Sequence, residues 1–96
     1  MIKQILKLLE GKRVVITVCS LDKRAHFWGL CDYVDRELFV SKRLCERNRI
    51  RTLIHESVHF LYPQFSEVTV LAIENDVYTH LTQDEYTRLA ALVKTT

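Results

Sequence analysis

The sequence predicts an α+β fold in which an N-terminal helix and a three-stranded antiparallel sheet precede three further helices. The β-branched and aromatic residues that favour strands are concentrated between residues 13 and 40. Helical spacing of apolar residues, together with residues that cap helices, dominates the chain from Ser41 onward. Helices and strands are thus segregated along the chain instead of alternating, which is typical of the α+β class.

The N-terminal half supplies the first helix and the sheet. Apolar residues recur at helical spacing over residues 2–9, and Gly11 is expected to end that helix. Strands are predicted over residues 13–19, 26–34 and 37–40, with turns at residues 20–24 and 35–36. Gly29 lies inside the second strand, where a glycine often marks a bulge or a close approach of the backbone to another group.

The C-terminal half is predicted to be helical. Ser41 is a candidate N-cap for a long helix that ends just before Pro63. Ser66 is expected to cap a helix over residues 67–81, and Thr82 with Glu85 forms a capping box that opens a last helix through residue 93. The inward face of the helix over residues 67–81 is predicted to carry Val70, Leu71, Glu74, Val77, Tyr78 and Leu81.

Length, charge and cysteine content narrow the class of protein. Ninety-six residues predict one domain over residues 1–96, and a net charge of +2 gives no reason to expect a nucleic-acid partner. No apolar run approaches the ~18 residues of a membrane span, and charged residues interrupt the N-terminus where a signal peptide would be apolar. Three cysteines without paired spacing imply no disulfide framework, which favours a cytoplasmic location.

The long helix carries the pattern His-Glu-x-x-His at residues 55–59. Residues four apart lie on the same face of a helix, so His55 and His59 can each bind one Zn²⁺ ion. Glu56 lies beside such a metal, where it can act as the general base of a peptide hydrolase. The alternative is a helix that carries two histidines with only a structural role.

A catalytic zinc usually has three protein ligands and one open position. The helix after Pro63 offers Glu67 and Glu74. If this helix runs back antiparallel to the helix that carries the motif, about residue 72 lies level with the metal, at ~1.5 Å rise per residue. That position favours Glu74. Another crossing angle favours Glu67. Burying a bare carboxylate among the apolar neighbours of Glu74 would be costly, so Glu74 needs a role, which could also be to orient a histidine ligand.

Residues 53–70 resemble the minimal gluzincin-type metallopeptidases, in which a His-Glu-x-x-His helix, a short turn and a Ser-Glu-x-x-Val helix start follow one another. The resemblance implies zinc at His55 and His59 and an acidic third ligand on the following helix. The match to Ser66-Glu67-x-x-Val70 places Glu67 first, with Glu74 as the alternative and His80 as a distant third candidate. No Asp follows either glutamate by four residues, as one does in thermolysin-like gluzincins. The resemblance also implies that the C-terminal segment could hold the enzyme latent.

These observations predict a small zinc metalloendopeptidase that hydrolyses peptide bonds through a zinc-bound water activated by Glu56. The partner is a peptide or protein substrate, which the strand at residues 37–40 could bind by edge addition. Tyr62, Tyr78 or His80 could donate a hydrogen bond to the developing oxyanion. Because so small a domain has little surface left for substrate subsites, a homodimer could complete them. Two alternatives stand: a zinc-binding regulatory module without turnover, and a protein without metal.

Overall fold

The computed structural model describes residues 1–21 and 28–94. Within them the elements are, in chain order, α1 (Ile2–Glu10), β1 (Val15–Cys19), β2 (Gly29–Asp32), β3 (Glu37–Ser41), α2 (Glu46–Leu61), α3 (Glu67–Thr79) and α4 (Gln83–Leu92). The α+β class is therefore confirmed. No helix in the described part of the chain is long and apolar enough to cross a membrane.

The sheet is mixed, so the prediction of an antiparallel sheet was wrong. Its strand order is β1-β3-β2, with β1 parallel to β3 and β2 antiparallel to β3. The β2–β3 hairpin was correctly predicted, but β1 pairs with the far side of β3 instead of with β2. Leu38 and Val40 of β3 are fully buried, as suits a central strand. Alternation of apolar residues identifies a strand but does not say which neighbour it pairs with, because that pairing is non-local.

Several predicted boundaries differ from the structure by about two residues, and two larger differences lie near residues 26 and 41. The second strand begins at Gly29, and the first two residues of the prediction, His26 and Phe27, lie outside the described residues. Ser41 is the last residue of β3 and does not cap α2, whose N-cap is Cys45. The backbone N–H of Ser41 donates to the Trp28 carbonyl, which extends the β2–β3 pairing by one residue.

The central helix of the fold is α2, which packs against α1, α3, α4, β2 and β3. Its apolar stripe was correctly predicted, since Ile50, Leu53, Ile54 and Val58 are fully buried. These neighbours cover most of the surface of α2. The residues that they leave accessible lie on one remaining face of the helix.

A short turn reverses the chain between α2 and α3. The helix α2 ends at Leu61, ahead of Pro63, and Ser66 caps α3 by accepting a hydrogen bond from the Thr69 N–H. The capping box of Thr82 and Glu85 at the start of α4 is also present, as predicted. One detail of α3 was wrong, because Leu71 was expected to face inward but is 51% exposed.

Candidate metal centre

His55 and His59 lie on one accessible face of α2, one turn apart. Their ring centroids are 4.8 Å apart, with an angle of 70° between the ring planes. Both side chains are only partly buried, at 12% and 20% exposed. The i and i+4 spacing thus produces the paired imidazoles that the sequence pattern predicts.

Glu67 reaches both histidines from the first turn of α3. Its Oε1 lies 2.6 Å from Nε2 of His55, and its Oε2 lies 2.9 Å from Nε2 of His59. The tight turn after α2 and the Ser66 cap place this carboxylate directly opposite the last two turns of α2. The Glu67 side chain is 61% exposed, so the cluster opens to solvent on that side.

Two imidazole nitrogens and one carboxylate oxygen therefore converge, all within 4.8 Å of one another. This donor set is a common one for catalytic zinc, which takes nitrogen and oxygen ligands at about 2.0–2.2 Å. Ligands at that range on a tetrahedral ion are about 3.3 Å apart, somewhat more than the observed 2.6 and 2.9 Å. A small outward shift of the exposed Glu67 carboxylate would accommodate the ion, so the residues present fit a zinc site.

Glu74 contacts the other side of the His55 ring. Its Oε1 lies 2.9 Å from Nδ1 of His55, so the imidazole of His55 lies between two carboxylates from α3. The helix-length estimate favoured Glu74 as the third metal ligand, and the structure places Glu74 beside His55 but outside the group of His55, His59 and Glu67 donors. Glu74, however, faces the nitrogen that points away from His59, whereas Glu67 lies against Nε2 of both histidines.

Arg51 holds the second oxygen of Glu74, with its Nε donating to Oε2 at 2.9 Å. Burial opposes the ionisation of Glu74, but hydrogen bonds from His55 and Arg51 prevail and lower its pKa. Burial likewise disfavours the His55 cation, but the hydrogen bond to Glu74 and the charges of nearby glutamates outweigh it and raise the pKa of His55. Each oxygen of the partly buried Glu74 carboxylate thus has a polar partner, His55 for one and the Arg51 guanidinium for the other.

Glu56 is buried beside the same cluster and contributes no atom to it. Only 9% of the Glu56 surface is exposed. Burial raises the pKa of Glu56, and the positive potential of His55 and His59 partly offsets this effect. Gly29 of β2 makes room for this side chain, because a β-carbon at Gly29 would lie 3.0 Å from Cγ of Glu56. The predicted close backbone approach at Gly29 is therefore confirmed.

Two clefts open onto the cluster, one from each side. The first, of about 300 Å³, is lined by His55, Glu56 and Glu67 together with Trp28, Gly29, Thr52, Leu71 and Glu74. The second, of about 390 Å³, shares those three residues and Gly29, and adds Leu30, Cys31, Tyr33 and His59. The apolar side chains of Trp28, Leu30 and Leu71 thus lie beside a lining that is otherwise largely polar and charged.

The predicted oxyanion donors lie away from these clefts. Tyr62 donates its hydroxyl proton to Gln4 of α1, the Tyr78 ring contacts Arg51, and the His80 ring contacts the Asp76 carbonyl. The nearest phenol is instead Tyr33, whose hydroxyl donates to the His59 carbonyl at 2.9 Å and whose ring stacks on Phe60. No local pattern around Tyr33 signals this position, since it depends on how the hairpin packs on α2.

The outer edge of the sheet at the site is β2, not the strand at residues 37–40. That strand, β3, is central and paired on both sides, so the prediction that it binds substrate by edge addition was wrong. The hydrogen bond from Ser41 N–H to the Trp28 carbonyl sets the alternation of the antiparallel ladder. In that alternation Gly29 and Cys31 direct their N–H and C=O groups away from β3.

The described part of the C-terminal segment does not cover the clefts. α4 packs beside the start of α2, where the Val93 carbonyl accepts a hydrogen bond from Arg49 and Tyr86 contacts Glu46. Lys94 lines a separate surface depression with Leu44 and Cys45. Thr95 and Thr96, the remainder of the segment proposed for latency, lie outside the described residues.

Comparison of the chain with protein-family models, with curated proteins and with solved structures gives no significant match.

Proposed function

We propose that the chain is a small zinc-dependent peptidase, with His55, His59 and Glu67 as metal ligands and Glu56 as general base. The observation that carries the proposal is the convergence of the three donor groups, with the buried carboxylate of Glu56 next to them. A purely structural histidine pair would need acidic partners for its hydrogen bonds. It would not need a second buried carboxylate that faces the same two clefts.

Each residue has a distinct task in this proposal. A zinc ion held by the three side chains would supply a Lewis acid for the peptide carbonyl and would lower the pKa of water. Glu56 accepts a proton from the attacking water and passes it to the leaving nitrogen. A general base works best when its pKa approaches the working pH, and in the metal-free chain burial raises the pKa of Glu56.

Substrate is held in an extended conformation along β2. The outward N–H and C=O groups of Gly29 and Cys31 offer main-chain hydrogen bonds to a peptide strand, and both residues line the second cleft. A peptide bound there passes Glu56 and the metal ligands on α2. Trp28 and Leu71, which are 55% and 51% exposed, flank the first cleft and favour apolar substrate side chains.

A zinc-binding module without turnover is the second candidate, and one contact favours it. The Tyr33 hydroxyl already donates a hydrogen bond to the His59 main-chain carbonyl. It would have to give up that bond to stabilise an oxyanion. In this second role the same three ligands hold the ion, and the exposed rim of the clefts binds a partner.

Cleavage assays on the zinc-loaded protein separate the two candidates. We expect native protein to cleave casein, and Glu56→Gln to bind zinc but lose activity by about 10²–10⁴-fold, the usual contribution of a general base. Glu46→Gln, a change of an exposed glutamate on the same helix, serves as the matched control and should retain activity. Bound zinc with no cleavage by the native protein would favour the second candidate.

A further inference from the structure

The Glu74 carboxylate bridges an arginine and a histidine that lie one turn apart on α2. One oxygen contacts Nδ1 of His55 at 2.9 Å, and the other accepts from Nε of Arg51 at 2.9 Å. The side chains of Arg51, His55 and Glu74 are 25%, 12% and 13% exposed. Glu74 is therefore held at both oxygens in a partly dehydrated environment, where charge-assisted hydrogen bonds are strong.

Arg51 is itself fixed by α3. Its second guanidinium nitrogen donates to Oδ1 of Asn75 at 3.2 Å, and its guanidinium carbon lies 4.9 Å from the centre of the Tyr78 ring. Glu74 and Tyr78 are one helical turn apart, so they present a carboxylate and an aromatic face to the same guanidinium. The planar fork of an arginine suits this combination, whereas a lysine cannot make it.

We propose that Arg51 and Glu74 are positioning residues for His55, through which the chain sets the affinity of its metal site. This inference rests on the proposed metal site. A carboxylate that accepts from Nδ1 fixes the tautomer in which Nε2 is free to bind a metal, and it fixes the orientation of the ring. Arg51 prevents Glu74 from rotating toward solvent.

Positioning and simple charge predict opposite signs for the loss of Arg51. Arg51 is a cation close to the site, so by Coulomb's law alone its removal would tighten the binding of a divalent metal. If Arg51 acts by holding Glu74, its removal instead weakens metal binding. The direction of the change therefore distinguishes the two effects.

The test is the zinc dissociation constant of the full chain, measured by competition with a chromophoric chelator. We expect Glu74→Gln to raise this constant by about 10–100-fold, as is usual for a partner of a metal-binding histidine, and Arg51→Met to raise it by up to about tenfold. Arg51→Lys should give a smaller increase. Arg47→Met is the matched control, because Arg47 lies 5.9 Å from the same Tyr78 ring but two turns from His55.

A double-mutant cycle shows whether Arg51 acts through Glu74. In a Glu74→Leu background the positioning route is gone, so Arg51→Met should no longer weaken zinc binding and should at most tighten it slightly through the lost positive charge. The Co²⁺-substituted protein gives a second readout. Its visible absorption bands should shift in Glu74→Gln and Arg51→Met but not in Arg47→Met.

The outcomes are distinct from those that test the proposed function. Unchanged or tighter zinc binding by Arg51→Met, in a native chain that binds one zinc, would overturn the positioning role and leave the metal site intact. A lower midpoint of unfolding in the metal-free variants with an unchanged zinc constant would likewise overturn it. Absence of zinc binding by the native chain would reject the proposed metal site itself.

Discussion

Gly29 and Glu56 are so close that a side chain at the glycine would intrude on the candidate catalytic carboxylate. A β-carbon built on Gly29 would lie 3.1 Å from Oε2 of Glu56, and only 2.5 Å from Cγ2 of Thr52. The edge strand β2 and the helix α2 can therefore pack at this separation only because residue 29 is a glycine. This close approach also brings the outward backbone groups of β2 next to the motif.

Replacing Gly29 with alanine should push β2 away from α2. We expect a loss of about 1–3 kcal/mol in the free energy of unfolding, the usual effect of overpacking, and a larger fractional loss of activity than of zinc affinity. Denaturant unfolding measures the first effect. Thr52→Ser removes the closest clashing atom, so the double variant Gly29→Ala/Thr52→Ser should recover part of the stability. A fully stable, fully active Gly29→Ala protein would contradict this account of the packing.

Arg49 is predicted to be a major stabilising residue outside the site. Its guanidinium donates to the main-chain carbonyls of Leu44, Val93 and Lys42, which ties the start of α2 to the C-terminal helix. Because hydrogen bonds from charged groups contribute about 1.5–3 kcal/mol when they are well shielded, and Arg49 is only partly buried, Arg49→Met should cost about 2 kcal/mol. Arg47→Met, on an exposed face of the same helix, should stay within about 0.5 kcal/mol of the native protein. Equal stability of Arg49→Met and Arg47→Met would contradict a stabilising role for the hydrogen bonds of Arg49.

Much of the fold could be predicted from the sequence because its signals are local. Ser66, Thr82 and Glu85 announce helix starts by residue type and spacing alone, and all three cap as expected. The order of the strands could not be predicted in this way. β1 pairs with β3, on the edge of β3 opposite to β2, and Val15 lies opposite Glu37, 22 residues further along the chain. That pairing depends on the packing of the whole sheet.

In the candidate site, too, the local features could be predicted and the non-local ones could not. His55, Glu56 and His59 follow from one helical motif, but the relative roles of Glu67 and Glu74 depend on how α3 crosses α2. Arg51 was missed as a partner of the site, although it lies four residues before His55 and therefore on the same helical face. That spacing is a signal that the sequence did contain.

A rise in pH should lower the stability of the metal-free protein but increase the stabilisation that zinc provides. The pKa of His55 is raised above its usual 6.5, so its stabilising effect is complete below that pH and is lost as the pH rises through the folded-state value. The pKa of Glu56 is also raised, which acts in the same direction. Metal-free protein should therefore lose stability as the pH rises, from about pH 4.5 upward through Glu56 and from about pH 6.5 upward through His55.

Zinc binding needs neutral imidazoles, so stabilisation by zinc should increase over the same range. Urea unfolding with and without a chelator measures both trends. Glu74→Gln should flatten the trend of the metal-free protein, because the hydrogen bond to Glu74 is the main contribution that raises the pKa of His55. A metal-free protein that gains stability up to about pH 9 would contradict this prediction.

Cys31 should react slowly with alkylating reagents despite its place in the second cleft. Burial, and to a smaller extent the charge of Glu56, raises the pKa of its thiol to about 11. The smaller thiolate fraction is partly offset by a more nucleophilic thiolate, so we expect alkylation at pH 8 to be about tenfold slower than in the unfolded chain. Mass spectrometry of iodoacetamide-treated peptides resolves Cys31 from the exposed Cys45. Equal rates for Cys31 in the folded and unfolded chain would contradict this prediction.

The central claim is that His55, His59 and Glu67 together hold one zinc ion. Its most direct test is elemental analysis of zinc per chain in protein purified without chelator, for the native sequence, Glu67→Ala and Glu74→Ala. We expect about one zinc per native chain, a large loss in Glu67→Ala, and recovery of full occupancy in Glu74→Ala when excess zinc is supplied. Native protein without zinc, or Glu67→Ala with undiminished zinc, would contradict it.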